Sequence, residues 1–244
     1  MQLHQFENLD TLSQSLADWL IGDIKETLKK KTHYSFVLSG GNTPKALYQL
    51  LATHPRKDQI NWSKIHFYIG DERYVPFEDD RHNGKMAYDT LLNHIPVKEE
   101  NIYLMDTSLP QDKAAAQYEE LLHQKFDGQE STFDFVLLGM GGDGHTLSLF
   151  PGTEVVQEMD RWVAAPFVEA QKMYRITLTR PVVHKAEKIV FMAAGDGKAN
   201  ALKEVLEGEY NPSHYPSQTI SRNNEEVHWF VDTAAASKLS NLEK

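Results

Sequence analysis

Short runs rich in β-branched and aromatic residues alternate along the chain with segments of helical periodicity. This alternation constrains the fold more than any other feature. The runs are YSFVL (34–38), IHFYI (65–69), IYLM (102–105), FDFVLL (133–138), RITL (175–178), KIVFMAA (188–194) and VHWFV (227–231). Helix-like segments fall at 44–52, 84–93, 112–125, 197–207 and 233–239. Strand, helix and strand repeated in this way predict an α/β fold: one doubly wound, Rossmann-like, mostly parallel sheet with helices on both faces. KIVFMAA and FDFVLL are apolar almost throughout, as strands covered on both sides should be. The residues ahead of YSFVL read as one helix, and 53–61 and 207–226 read as loops. There is no internal repeat, low-complexity block or linker, so 1–244 is expected to be a single domain.

Composition limits the function classes. A chain of 244 residues, 41% hydrophobic and 25% charged, can bury a sizeable core. A formal net charge of −10 repels nucleic acids and anionic bilayers, so neither is an expected partner. An anionic substrate must then be held by local positive groups. The absence of cysteine excludes disulfides, thiolate metal sites and cysteine nucleophiles. The first twenty residues lack the basic start and apolar centre of a signal peptide, and no apolar run approaches the roughly 20 residues that span a bilayer. The expected location is the cytoplasm.

In a doubly wound sheet ligands bind beyond the carboxyl ends of the strands, so the residues that follow each strand matter most. After YSFVL comes SGGNTPKALYQLL, in which Gly40 and Gly41 free the backbone, Thr43 is a plausible N-cap and Pro44 suits a first helical turn. Backbone N–H groups at such a turn make a phosphate site, and Lys45 at a helix start would be favoured only beside an anion. After IHFYI, Asp71, Glu72 and Arg73 crowd together; they form either a surface ion-pair cluster or a guanidinium suited to phosphate. After KIVFMAA, Gly195 and Gly197 flank Asp196, and Lys198 stands at the start of an amphipathic helix.

The remaining strand end, LLGMGGDGHT, carries glycines 139, 141 and 144 in the spacing G-x-G-x-x-G. A dinucleotide site needs a long helix after the last glycine and an acid about 20 residues on, at the end of the next strand. Here Pro151 and Gly152 interrupt the chain soon after His145, and the next apolar segment, RWVAAP, ends in proline. The glycines therefore read as a catalytic turn. Asp143 and His145 would share one side of it if the backbone is extended there, and a carboxylate beside a histidine fixes the tautomer of a proton-transferring base.

Taken together, LSGGNTP, GDERYVP with HNGKMA, LLGMGGDGHTLSLFPGT, RITLT, GDGKANALKEVL and PSQTI resemble the glucosamine-6-phosphate isomerase/6-phosphogluconolactonase superfamily in order and content, from about residue 5 to 236. The lactonase pattern is the nearer one. The resemblance implies hydrolysis of a phosphorylated sugar lactone without metal or organic cofactor, by a monomer or homodimer. It makes His145 the general base, with Asp143 orienting it and Asp71 a second candidate for that role. It places Gly40, Gly41, Asn42 and Thr43 along the phosphate and gives Arg73, Lys198 and, more faintly, Arg175 to the phosphate or the oxyanion.

In the sister deaminases the turn reads G-H-I-A-F-N-E-P, with a glutamate five residues after the histidine, where this chain has Phe150. A non-catalytic sugar-phosphate sensor is the alternative from another class; both Asp143 and His145 speak against it. Three residues depart from the lactonase pattern. His82 stands where serine is expected, His184 where asparagine is frequent and Asn42 where serine is common, and His82 is expected to alter substrate contacts or pH response.

Overall fold

The computed structural model describes residues 1–222 and 224–240. Its strands are β1 (Gln2–Phe6), β2 (Tyr34–Leu38), β3 (Ile65–Ile69), β4 (Asp71–Arg73), β5 (Ile102–Tyr103), β6 (Phe135–Gly139), β7 (Val163–Ala164), β8 (Phe167–Val168), β9 (Met173–Leu178), β10 (Ile189–Ala193) and β11 (Val227–Asp232). The helices are α1 (Leu9–Thr27), α2 (Asn42–Leu51), α3 (Asn83–Thr90), α4 (Gln111–Phe126), α5 (Arg180–Val183), α6 (Ala199–Leu206), α7 (Gln218–Ser221) and α8 (Thr233–Ala236), with short 3₁₀ turns between them. Seven strands form one parallel sheet in the order β1-β11-β10-β6-β2-β3-β5. Strands β2, β10 and β11 are buried along their whole length, which is why their sequences are apolar without alternation.

From β2 the chain builds outward through β3 to β5, then returns to lay β6 against the other side of β2 and continues through β10 to β11. The winding direction therefore reverses between β2 and β6. Loops that leave the carboxyl ends of these two strands diverge there and open a crevice.

Four expectations are corrected. The first 33 residues are a strand and a helix. QLHQF is polar and partly exposed, so its pairing with β11 (Leu3↔Trp229, Gln5↔Val231) comes from tertiary contact and leaves little trace in the sequence. Helix α1 begins after Asn8, whose side chain accepts from the Thr11 N–H at 3.0 Å. RITL lies outside the parallel sheet: β9 pairs antiparallel with β4, β7 and β8 in a second, smaller layer. The strand within IYLM ends at Tyr103, because β5 is an edge strand paired with β3 only through Ile102 and Tyr103. The stretch 207–226, read as loop, also contains the single turn of α7.

His66 on β3 gives the fold a pH dependence that can be measured. Burial, helped by the nearby positive charges of His33 and Lys125, pulls its imidazole from 6.5 down to about 4. As pH falls from 6.5 towards 4 the unfolded chain takes up a proton that the folded chain refuses, so stability is lost across that window. His66→Gln is expected to flatten this part of the profile, seen as a smaller drop in urea midpoint between pH 7 and 4.5 than in the wild type.

Candidate active site

The crevice between the β2 and β6 ends is a cleft of about 200 Å³. Gly40, Gly41, Asn42, Thr43, Asp71, Arg73, His145, Arg175 and Lys198 all line it. Of the residues expected at the site, only Asp143 is outside the lining, and it bonds to His145, which is inside. Lys45 is exposed and does not line the cleft.

The first wall follows β2. The Tyr48 hydroxyl accepts from the Ser39 N–H and donates to the Ser39 carbonyl, both at 2.8 Å, and so holds the strand end from below. Helix α2 starts two residues earlier than the expected Thr43 cap. Gly41, at φ +102°, takes the cap position, a conformation open to glycine and costly for threonine. No side chain caps α2, which leaves its first N–H groups directed at the cleft side lined by Gly41, Asn42 and Thr43. Gly40 is needed for a different reason: a Cβ there would lie 2.0 Å from Asn83 Oδ1. Asn83 was absent from the expected set, yet it lines the cleft and donates from Nδ2 to the Asp71 carbonyl at 2.6 Å.

The second wall is the turn after β6. Gly144 has φ +80°, and its carbonyl accepts from both the N–H and the hydroxyl of Ser217, at 2.9 and 2.8 Å. The Thr146 hydroxyl donates to the Gly139 carbonyl at 2.8 Å. The backbone is therefore folded at Gly144 and not extended, and Asp143 meets His145 by closing the turn: Nδ1–H donates to the Asp143 carboxylate at 2.5 Å. Partial burial of Asp143 would raise its pKa, but the hydrogen bond and charge of His145 outweigh it and hold the carboxyl below its usual value. With Nδ1 engaged, Nε2 is the nitrogen left for chemistry.

Gly141 supplies the room for this pair. A Cβ there would stand 2.1 Å from His145 Nδ1 and 2.4 Å from Asp143 Oδ1. Gly141→Ala is expected to displace the imidazole and lower kcat by about 100-fold, the scale of a 1 Å misplacement, with the melting temperature nearly unchanged; steady-state kinetics beside a thermal melt would check it.

The third wall is the small antiparallel layer, which the sequence did not disclose. Strands β4 and β9 place Arg73 directly opposite Arg175, and Asp71 opposite Thr177. Arg175, only 4% exposed, donates from Nη2 to Asp71 Oδ2 at 3.0 Å, from Nε to the Ser148 hydroxyl at 2.9 Å and from Nη1 to Gln171 Oε1 at 3.2 Å. Ser148 in turn donates to Asp71 Oδ2 at 2.6 Å. Asp71, 5% exposed, is thus ion-paired and doubly hydrogen-bonded. Ser148 was missed because nothing local marks it; it reaches Asp71 across 77 residues of sequence.

Arg73 donates from Nη1 to the Arg81 carbonyl at 2.7 Å, while its Nε is buried with no hydrogen-bond partner. Burial and the charge of Arg175 lower its pKa, against the opposing carboxylates of Asp71 and Glu72. Two guanidiniums, Lys198 and an uncapped helix start make the cleft locally positive within a chain of net charge −10.

The unusual histidines sit elsewhere. His82, 2% exposed, does not line the cleft, although its neighbour Asn83 does. It is the N-cap of α3, with Nδ1 3.0 Å from the buried Glu72 carboxylate, which also accepts the N–H groups of Asn83 and Gly84. His184 Nε2 lies 2.8 Å from the Thr219 carbonyl, a contact that ties α5 to α7. Among the described residues no group of three or more His, Asp or Glu is arranged to hold a metal ion, and no helix is long and apolar enough to cross a membrane.

Comparison with known proteins places this geometry in context. A family model described as glucosamine-6-phosphate isomerases/6-phosphogluconolactonase matches residues 7–229. A 6-phosphogluconolactonase of Synechocystis is 36% identical over 220 residues, 88% of this chain and 89% of the relative. The solved 6-phosphogluconolactonase of Thermotoga maritima superposes with a TM-score of 0.82 at 29% identity, over 95% of this chain and 99% of that one. A solved monomeric glucosamine-6-phosphate deaminase has a TM-score of 0.84 at 21% identity, over 98% of this chain and 100% of that one, a likeness of fold alone.

Proposed function

The chain belongs to the glucosamine-6-phosphate isomerase/6-phosphogluconolactonase family, and from that premise we infer that it hydrolyses 6-phospho-D-glucono-1,5-lactone to 6-phosphogluconate in the oxidative pentose phosphate pathway. The observation that carries the reading is the Asp143–His145 pair, with Nδ1 tied to the carboxylate, set in a cleft that two guanidiniums make positive. His145 Nε2 takes a proton from water as the water oxygen attacks the lactone carbonyl carbon. Asp143 holds the tautomer and steadies the imidazolium that forms. The tetrahedral oxyanion then collapses, the ring C–O bond breaks, and the leaving ring oxygen receives the proton from the imidazolium. A cyclic ester is already electrophilic, so one positioned water, one base and one stabilised oxyanion suffice.

The uncapped start of α2, at Gly40 to Thr43, lies along the phosphate, and Arg73, Arg175 and Lys198 divide the phosphate and the oxyanion among them. Asp71 enters as the partner of Arg175, its Oδ2 already taken by that guanidinium and by the Ser148 hydroxyl. The reaction needs no cofactor, and the enzyme works in the cytoplasm as a monomer or homodimer.

The test is lactone hydrolysis. Substrate generated in situ from glucose 6-phosphate would be followed with wild-type protein, with His145→Ala and with no protein, because the lactone also opens unaided. Acceleration that depends on His145 supports the reading. No acceleration over the spontaneous rate would overturn it, and ammonia release from glucosamine 6-phosphate would then be measured.

A further inference from the structure

The imidazole of His145 is held by more than its hydrogen bond. The chain reverses sharply after it, with Leu147 at φ +52° and Thr146 bridged to Leu149, and this returns Phe150 over the base. The two rings stack with centroids 4.1 Å apart and planes 26° from parallel. Phe150 is 6% exposed, so the ring is itself fixed. Near the imidazole lies Gly141, with no side chain and no space for one. One hydrogen bond to Asp143 sets the position of Nδ1 but leaves the imidazole free to rock about that bond, and Asp143 is half exposed, open to water that competes for the contact. A packed aromatic face removes that rotation and covers part of the pair. The same ring lies 5.8 Å from the Arg175 guanidinium carbon, so it touches both the base and one of the groups that make the cleft positive.

We propose that Phe150 is a positioning residue for His145: its ring fixes the plane of the imidazole, aims Nε2 into the cleft and shelters the Asp143–His145 hydrogen bond from water. This inference rests on the lactonase reading for its kinetic consequence but not for its structural one. A sheltered imidazole N–H held by a carboxylate gives a far-downfield proton resonance, which reports the geometry without any substrate.

Phe150→Tyr keeps the ring, whereas Phe150→Leu and Phe150→Met keep an apolar side chain and lose it. The expected result is a kcat about ten-fold lower in the leucine and methionine variants, with KM within about two-fold of wild type, and full rescue by tyrosine. The downfield resonance, identified by its loss in Asp143→Asn, should be sharp in wild type and Phe150→Tyr and broadened away in the other two. If Phe150→Leu fails to fold, Phe150→Met carries the comparison. Wild-type kcat and a sharp resonance in a folded variant without the ring would overturn the proposal, as would a wild-type spectrum without the resonance. Should the wild type hydrolyse no lactone, the functional reading fails and the spectra still decide the role of Phe150.

Discussion

His145→Ala is expected to lower kcat for lactone hydrolysis by about 10²- to 10⁴-fold, the usual contribution of a positioned general base. KM should move little, because the start of α2, Arg73 and Lys198 line the cleft independently of the turn that carries His145. The fold should persist, since the imidazole packs on Phe150 at the edge of the crevice and not in the core beneath the sheet. A burst-free progress curve at saturating substrate, corrected for spontaneous opening, measures the effect. A variant retaining more than a tenth of wild-type kcat would return the role of base to another group, Asp71 first. Asp143→Asn offers a second view of the same pair: the amide would turn a donor towards Nδ1, favour the other tautomer and block Nε2 with a proton.

Arg175→Met should have the largest effect on stability. Arg175 and Asp71 are buried together and bonded at 3.0 Å, so removing the guanidinium breaks the ion pair and leaves the buried carboxylate hydrogen-bonded to the Ser148 hydroxyl and the Asn83 amide. Breaking a buried pair on one side costs ~3–5 kcal/mol, whereas replacing both partners by neutral groups of similar volume is often close to neutral. The double variant Asp71→Asn/Arg175→Met is therefore expected to recover most of the lost stability in urea melts while remaining inactive, a strong coupling in a double-mutant cycle. A single variant as stable as wild type would show that Asp71 does not depend on its partner.

The contrast between these two sites explains what was legible in the sequence. The glycine turn is local: Asp143 and His145 are two residues apart, and the reason for their meeting lies in the intervening Gly144. The α2 start was legible for the same reason, although the helix takes Gly41 as its cap, a choice set by a backbone angle that composition does not specify. The parallel sheet was legible because strands buried on both faces must be apolar throughout. By contrast β1 is polar and exists by pairing with a strand more than 220 residues away, and β4 is a three-residue strand whose partner β9 lies a hundred residues downstream. Ser148 and Asn83 acquire their roles only when distant segments meet, whereas Phe150 reaches His145 through a local reversal set by the backbone angle at Leu147. Arg175 was visible as a charged residue opening RITLT; that it would lie beside Arg73 was not.

That antiparallel register has a thermodynamic consequence. Like charges directly opposite on paired strands repel, and here both guanidiniums line one cleft. Asp71 answers one of them; the other, Arg73, keeps a buried and unpartnered Nε. On the proposed reading, a bound phosphate places negative charge beside two guanidiniums that face each other, and part of its binding energy is relief of their repulsion. On that reading ligand and fold are linked in both directions, so that the stability of this protein is expected to rise with the concentration of a phosphate-bearing ligand in its solution.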